Sequence, residues 1–303
     1  MMLLPTVTTP PLEIAYTTKE FCKILLVSVI QNSIILFIIG TVIGSFLNVL
    51  IYRIPIGKDF ISGRSSCPKC YKVIPWYGLF PVFSYVFQRG KCLFCKEKIS
   101  IQYPVIETIS GLIFVGTSMF LYSPFLSIPD LTYWLFYIAI IEITLLLFVI
   151  DLKHFILPDS LVLSLLVAFG AYYLTTQILG ISPDYVQSSL TIQNRLLGSL
   201  VIGGALFLLW FLSKGRALGF GDVKLMSVLG IIFGLKGGII IFYMAMFIGL
   251  IVGLFLIFFK QADLKTKVPF GTFIGLSVLT YIFFYNQIIS YVNFLILRAF
   301  TTV

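Results

Sequence analysis

Apolar runs of about 20 residues recur along this 303-residue chain, and they constrain its fold more than any other feature. Such a run is long enough for an α-helix to cross the hydrocarbon of a bilayer. A mean hydropathy of +1.06 and a charged fraction of 11% exclude a soluble enzyme, a secreted disulfide scaffold and a disordered chain. We predict an all-α polytopic membrane protein with about eight transmembrane helices, at residues 24–51, 105–122, 133–150, 160–179, 196–212, 223–235, 238–259 and 273–297.

The distribution of basic residues predicts which loops face the cytosol. With the N-terminus outside and eight crossings, 16 of the Lys and Arg residues lie inside and five lie outside. Basic residues concentrate in the cytosolic loops of membrane proteins, so this orientation is favoured. The same concentration explains the net charge of +9, and we therefore expect no nucleic-acid partner. The predicted division is an extracytoplasmic segment (1–23), a first transmembrane helix (24–52), a cytosolic loop (53–103) and a membrane core (104–303).

The cytosolic loop carries two pairs of cysteines, Cys67 with Cys70 and Cys92 with Cys95. Each CxxC turn directs two thiolates at one point, and two such turns supply the four sulfurs of a tetrahedral zinc site. A loop of about 50 residues can form only a small hydrophobic core, so it needs a cross-link such as a bound metal ion to be stable. Redox-active pairs are the alternative, but zinc is favoured because the cytosol is reducing. Four sulfurs leave no open position, so the predicted zinc is structural.

Three aspartates lie at predicted membrane boundaries, where an ionised carboxylate is costly unless it is paired or hydrated. Asp151 ends the third span, Asp159 follows it, and Asp222 precedes the sixth span. Two complete spans separate Asp151 from Asp222, so both lie on the same membrane face, which the cysteine loop shares. Such a pair can share one proton and act as general base and general acid on a peptide bond.

The glycines beside Asp222 fit a catalytic role. Gly219 and Gly221 allow a close approach of backbone, which would let a substrate strand lie against the start of the helix. Helix capping by Asp222 is the structural alternative. Two further classes of function stay open from the residues alone: a proton-coupled membrane transporter or channel that uses the boundary aspartates, and a zinc-stabilised membrane scaffold without chemistry.

Five motifs together resemble the type IV prepilin leader peptidases, bifunctional membrane enzymes of pilus assembly, type II secretion and competence. The resemblance covers nearly the whole chain after about residue 40. It rests on 44–55 (GSFLNVLIYRIP), the cysteine loop at 67–107, 151–159 (DLKHFILPD), 219–224 (GFGDVK) and 268–271 (VPFG). Archaeal preflagellin-type and presenilin-like GxGD proteases resemble only the aspartate motifs, and the cysteine loop disfavours them.

The resemblance implies a role for each motif. Asp151 and Asp222 match the two catalytic aspartates, and Asp159 matches a supporting acid. The implied reactions remove a short basic leader from prepilin or pseudopilin precursors, then N-methylate the new N-terminus with S-adenosylmethionine. The cysteine loop is linked to methyl transfer, for which Gly90 and Lys91 are the candidate residues. The implied location is the bacterial cytoplasmic membrane with the active site facing the cytosol, where the basic loop contacts lipid head groups.

Overall fold

The computed structural model describes residues 12–59, 63–121, 127–181, 191–216, 218–259 and 268–301. These residues are mostly helical and contain two isolated β-bridges in the cysteine loop but no β-strand, which confirms the predicted all-α architecture. The helices are α1 (Leu12–Arg53), α2 (Phe83–Phe87), α3 (Gln102–Phe120), α4 (Ile128–His154), α5 (Asp159–Leu179), α6 (Ile192–Gly198), α7 (Gly204–Leu212), α8 (Phe220–Phe258), α9 (Phe270–Phe283) and α10 (Tyr285–Thr301).

Six helices of the described residues are long and apolar enough to cross a membrane, and the bent pair of α9 and α10 brings the number to seven. We predicted about eight transmembrane helices. The number counted in the structure is lower because α8 is counted as one helix, although it contains two of the predicted spans. The helix α1 begins at Leu12, so it starts within the predicted extracytoplasmic segment of residues 1–23 and continues through the predicted first transmembrane helix.

The helix α8 is broken at Gly234, whose φ of 69° and ψ of −176° are not helical. Gly230 and Gly238 would lie about 12 Å apart in a straight helix. Instead, a Cβ placed on Gly238 would lie 3.5 Å from the Cα of Gly230. The chain therefore turns back on itself at Gly234, in agreement with the predicted division into a sixth and a seventh span.

Two other predicted spans are irregular. The fifth consists of α6, a π-helical turn at Ser199–Gly203 and α7, which together run over Ile192–Leu212. The eighth, predicted as one span over 273–297, is instead two helices, because α9 and α10 meet at a 90° bend. Hydropathy does not detect this bend, since both helices are apolar enough to extend one continuous run.

The central helix of the membrane domain is α4, which is largely buried and packs against α1, α3, α5 and α9. Close packing of α1 on α3 depends on Gly40 and Gly44, because a Cβ on either would lie within 2.8 Å of the α3 backbone. Ser110 Oγ joins the three helices, lying 2.7 Å from the Gly40 carbonyl oxygen and 2.8 Å from Glu142 Oε1. At the helix ends, Lys153 Nζ donates a hydrogen bond to Gln102 Oε1, so the C-terminal end of α4 lies beside the start of α3.

The cysteine loop packs on the ends of α1 and α3. The backbone N–H of Val82 donates a 2.7 Å hydrogen bond to Glu107 Oε2 on α3. Val82 has a φ of 60°, which is rare for a β-branched residue and is held here by that hydrogen bond and the short helix that follows. Asn48 of α1 donates a 3.1 Å hydrogen bond to the carbonyl oxygen of Tyr103 in the first turn of α3, which joins the two helix ends beside the loop.

Candidate active site

Asp151 lies in the last turn of α4, directly after the fully buried Ile150. The helix ends one turn later, where Phe155 adopts a left-handed conformation and its N–H donates a 2.9 Å hydrogen bond to the Asp151 carbonyl oxygen. Only 5% of Asp151 is exposed. An apolar helix thus ends by placing a carboxyl group inside the protein at the edge of the membrane-spanning region.

Asp222 lies in the first turn of α8, three residues after the extended N-cap residue Gly219. Its carboxylate accepts a hydrogen bond from the N–H of Gly219, which is the reciprocal half of a capping box. Only 8% of Asp222 is exposed. Asp222 therefore does cap its helix, as the structural alternative predicted, and its carboxyl group also faces a cavity.

Asp151 and Asp222 line the same cavity, which has a volume of about 330 Å³. Their carboxyl groups are close enough to repel each other electrostatically. The structure therefore brings together the two aspartates that the sequence analysis paired. The cavity is lined by Asp151, Phe155, Ile156, Leu157, Asp159, Gly219, Phe220, Gly221, Asp222 and Lys224.

The start of α9 completes the surroundings of Asp151. The backbone N–H of Thr272 donates a 2.9 Å hydrogen bond to Asp151 Oδ2, and the N–H of Gly271 donates to the same carboxyl group. A Cβ on Gly271 would lie 2.8 Å from Asp151 Oδ2. The sequence analysis did not assign Gly271 or Thr272 to the site, although the VPFG motif at 268–271 was the signal that could have identified them.

Leu157 packs between two glycines of this site. A Cβ on Gly221 would lie 3.0 Å from Leu157 Cβ, and a Cβ on Gly271 would lie 2.9 Å from Leu157 Cδ2. The segment after α4 can therefore approach both α8 and α9 only because these two positions have no side chain. Leu157 was also missed by the sequence analysis, since an apolar residue in a loop carries no chemical signal.

Asp159 forms an ion pair across the mouth of the cavity. Its two carboxylate oxygens each lie 2.8 Å from Lys224 Nζ, which joins the start of α5 to the first turn of α8. Lys224 also lies 4.9 Å from the ring centre of Phe220. Because the Asp159 side chain is 73% exposed, this pair is screened by water and contributes little to stability.

The four loop cysteines form one cluster, in which all four sulfur atoms lie within 4.8 Å of one another. The Sγ atoms of Cys67 and Cys95 are 3.8 Å apart. A tetrahedral zinc ion with Zn–S bonds of about 2.3 Å requires sulfurs about 3.8 Å apart. The cluster can therefore hold a zinc ion through Cys67, Cys70, Cys92 and Cys95.

The two cysteine turns have the same backbone design. Tyr71 and Lys96, each four residues after the first cysteine of its pair, have φ values of 58° and 59°. Their N–H groups donate to the carbonyl oxygens of Cys67 and Cys92. In the second turn, hydrogen bonds from the N–H groups of Cys95 and Phe94 lower the pKa of the Cys92 thiol, whereas burial and the other three cysteines raise the pKa of Cys95. A lowered thiol pKa favours the thiolate that binds metal.

Gly90 and Lys91 lie beside the second cysteine turn, and neither lines the aspartate cavity. Gly90 has a φ of 65°, and a Cβ there would lie 2.9 Å from the Tyr85 hydroxyl oxygen. Lys91 forms an antiparallel bridge with Lys98. Gly90 therefore permits the Tyr85 ring to pack against the loop, whereas Lys91 contributes this bridge and a 3.1 Å hydrogen bond from its backbone N–H to the Gln88 carbonyl oxygen.

Membrane-length apolar helices and two buried carboxyl groups that line one cavity define this chain as a polytopic membrane protein, and such a pair is the chemical group that an aspartic peptidase requires. Residues 38–121 match the Bacterial Peptidase A24 N-terminal domain, and residues 131–254 match the Type IV leader peptidase family. The chain belongs to the type IV leader peptidase family. No solved structure matches it.

Its relatives include proteins named Prepilin leader peptidase/N-methyltransferase. That of Klebsiella pneumoniae is 31% identical over 64% of this chain and 82% of the relative. That of Pectobacterium carotovorum subsp. carotovorum is 29% identical over 79% of this chain and 88% of the relative. That of Myxococcus xanthus (strain DK1622) is 30% identical over 65% of this chain but only 55% of the relative, so the chain spans about half of that protein.

Proposed function

We propose that this chain is a membrane-embedded aspartic endopeptidase that removes the short basic leader of type IV prepilins or pseudopilins, and that it N-methylates the new N-terminus with S-adenosylmethionine. The single observation that carries the peptidase assignment is the placement of Asp151 and Asp222 in one cavity. The names of the relatives supply the substrate class and the second activity.

The hydrogen bonds around the two aspartates support a division of roles. Asp151 accepts hydrogen bonds from two backbone N–H groups, whereas Asp222 accepts one, from Gly219. Backbone donors stabilise the charged form of a carboxyl group. Asp151 therefore carries the negative charge of the pair and accepts a proton from the attacking water, while Asp222 holds the shared proton and polarises the scissile carbonyl.

The position of the aspartates matches the form of the substrate. A prepilin combines a basic leader with an apolar helix, so its scissile bond lies where water meets hydrocarbon. Asp151 and Asp222 lie at helix ends, and Phe155, Ile156 and Leu157 give one wall of the cavity an apolar surface. We propose that this wall contacts the first residues of the mature pilin, while Gly219, which has no side chain beside the Asp222 carboxyl group, admits its extended backbone.

The basic loop supports a location at the cytosolic face of the bacterial inner membrane. The count of Lys and Arg favours this orientation. The loop also exposes large aromatic side chains, among them Trp76, Phe83 and Phe87. Aromatic and basic residues together are typical of surfaces in contact with lipid head groups, so we propose that the loop rests on anionic lipids. The four cysteines would hold zinc in a structural role, since they fill all its positions.

Mass analysis of the reaction product tests both activities. The purified protein in bilayer nanodiscs is incubated with a prepilin and S-adenosylmethionine. We expect a product that lacks the leader and is one methyl group heavier than the cleaved pilin. Cleavage without the methyl group would overturn the transferase assignment alone. An uncleaved prepilin, in a preparation that retains its fold and bound zinc, would overturn the peptidase assignment.

A further inference from the structure

The helices around the aspartate cavity differ in how far they reach across the membrane. From Asp151, α4 runs back about 32 Å to Asp130, which is enough to cross a hydrocarbon layer of about 30 Å. The helix α9 has 14 residues, which gives it a length of about 21 Å. The part of α8 before the break at Gly234 is equally short. Both short helices begin beside the aspartates and span about two thirds of the hydrocarbon layer.

The packing of α9 against α4 fixes this difference in reach. The helix α9 begins beside Asp151, and a Cβ on Gly275 would lie 3.3 Å from the Cβ of Phe148. The two helices therefore run side by side in opposite directions. From this contact α9 continues for about 12 Å to Phe283, whereas α4 continues for about 27 Å to Asp130. The end of α9 thus lies well below the start of α4.

The short part of α8 and the helix α9 end at the same level. The ring centres of Phe233 and Tyr281 are 5.3 Å apart, and a Cβ on Gly237 would lie 2.8 Å from the Tyr281 hydroxyl oxygen. Just after the break in α8, Lys236 Nζ donates a 2.9 Å hydrogen bond to Asn293 Oδ1 on α10. The turn of α8, the end of α9 and the helix α10 therefore form one surface, on the membrane face opposite to the aspartates.

The helix α10 has the form of a helix that lies on a membrane. It meets α9 at 90°, so it runs across the direction in which α9 spans the bilayer. It is more amphipathic than α3, α4, α5, α8 or α9. Its exposed polar residues include Asn286, Gln287, Ser290 and Asn293, whereas Ile288, Ile289 and Val292 are half-buried. Such a helix is typical of the boundary between head groups and acyl chains.

A bilayer of uniform thickness would not fit this surface. It would place Lys236 and the exposed polar side chains of α10 about 10 Å inside the hydrocarbon layer. An ammonium group without water is costly there, and so are unhydrated amides and hydroxyl groups. A bilayer accommodates short spans by becoming locally thinner, which brings head groups and water to the ends of those spans.

We propose that α10 is an interfacial helix in the plane of the membrane, and that its partner is a lipid surface thinned by about 10 Å beside α8 and α9. Thinning occurs in the leaflet opposite to the aspartates, where the polar side of α10 contacts head groups. In place of the predicted eighth span, α9 alone crosses the membrane. The inference rests on insertion into the membrane and not on the proposed reactions.

Spin labels measure whether α10 lies in the plane of the membrane. A nitroxide is attached through p-acetylphenylalanine, which leaves the zinc cysteines unmodified, at Gln287, Ser290, Phe294 or Arg298 of the full chain in nanodiscs. These exposed positions share one side of α10. Accessibility to oxygen and to a water-soluble nickel complex gives the depth of each label. We expect all four depths to agree within about 5 Å and to lie near the head groups.

A graded depth would overturn the proposed orientation. Gln287 and Arg298 are about 16 Å apart along the helix axis, so a membrane-spanning α10 would give a difference of that size. Leu163 and Leu174 of α5 are the matched control, since they are exposed, equally far apart and in a regular span. Their labels should differ in depth by about 16 Å.

Two further measurements test the thinning. A label at Leu131, near the start of α4, is compared with the label at Ser290. We expect both to lie at head-group depth, whereas a Ser290 label about 10 Å deeper in hydrocarbon would overturn the thinning. Electron cryomicroscopy of the unlabelled protein in nanodiscs decides the question if the labelled variants fail to fold. Head-group density that dips beside α8 and α9 supports the proposal, and a flat layer overturns it.

Discussion

The backbone N–H of Thr272 donates a 2.9 Å hydrogen bond to Oδ2 of Asp151, and so attaches the start of α9 to the end of α4. These residues lie far apart in the sequence, and their contact is buried. Together with the N–H of Gly271, it fixes the carboxyl group of Asp151 in the cavity that Asp222 also lines. The peptidase site thus depends on three separate segments of the chain.

Replacing either cavity aspartate with asparagine is expected to abolish leader cleavage. Asp151→Asn and Asp222→Asn keep the size of the side chain but prevent the pair from sharing and transferring a proton. General acid–base groups contribute about 10²- to 10⁴-fold to rates, so we expect a fall of about a thousandfold or more in either variant. The measurement is the initial rate of prepilin cleavage. Asp130→Asn, at the opposite end of α4, is the control and should cleave normally.

Gly271→Ala is expected to inactivate the peptidase while leaving the protein folded. The added Cβ would lie 2.8 Å from Asp151 Oδ2 and 2.9 Å from Leu157 Cδ2, so the carboxyl group must move. We expect cleavage to fall by about tenfold to a hundredfold, because small displacements of catalytic groups have effects of this size. Gly170→Ala, where the added atom meets nothing within 4 Å, is the matched control. Normal cleavage by Gly271→Ala would contradict the proposed position of Asp151.

The ion pair of Asp159 with Lys224 is expected to have a small effect. It is bidentate, but Asp159 is 73% exposed, so coupling between the two side chains should be below about 1 kcal/mol. Asp159→Asn and Lys224→Met should each change the cleavage rate by less than about tenfold, and the double variant should resemble the single ones. A thermal-unfolding cycle over the four proteins measures the coupling. A complete loss of cleavage in Asp159→Asn would instead give Asp159 a direct catalytic role.

Cys67→Ser is expected to remove zinc and methyl transfer but to retain peptide cleavage. The parent should contain about one zinc ion per chain, since the four sulfurs form a closed tetrahedral set. No loop residue lines the aspartate cavity, so cleavage does not require the bound metal. Metal analysis by mass spectrometry and the mass of the pilin product are the two measurements. Cys22→Ser, outside the two CxxC pairs, is the control and should keep its zinc.

Gly90→Ala is expected to lower the methylation rate by at least tenfold with little effect on cleavage. The added Cβ displaces the Tyr85 hydroxyl group, which lines a cavity between the cysteine loop and the ends of α1 and α3. The substitution also strains a residue with positive φ, and Gly57→Ala separates the two effects. Gly57 has nearly the same φ, 64°, but a Cβ there meets nothing within 4 Å. If Gly57→Ala and Gly90→Ala lower the methylation rate equally, the effect is due to backbone strain and not to displacement of the Tyr85 hydroxyl group.

The cysteine turns and most of the membrane spans could be predicted because each depends on residues close together in the chain. The position of the two sulfurs in a CxxC turn is set by the turn itself. A run of about 20 apolar residues favours a membrane-spanning helix whatever its tertiary contacts are. The 90° bend between α9 and α10 could not be predicted in this way. It separates two apolar helices, and hydropathy does not change where the bend occurs.

By itself, the sequence determined that the chain is a helical membrane protein with a four-cysteine loop, and it identified Asp151, Asp159 and Asp222 as the acids at membrane boundaries. Only the tertiary structure decided how these acids are arranged. It placed Asp151 and Asp222, which the sequence had put on one membrane face, in a single cavity, and it placed Asp159 in an exposed ion pair. The physical reason is that the local sequence decides where a helix forms, whereas packing between distant segments decides which helices contact each other. Leu157, Gly221 and Gly271 are an example of such packing.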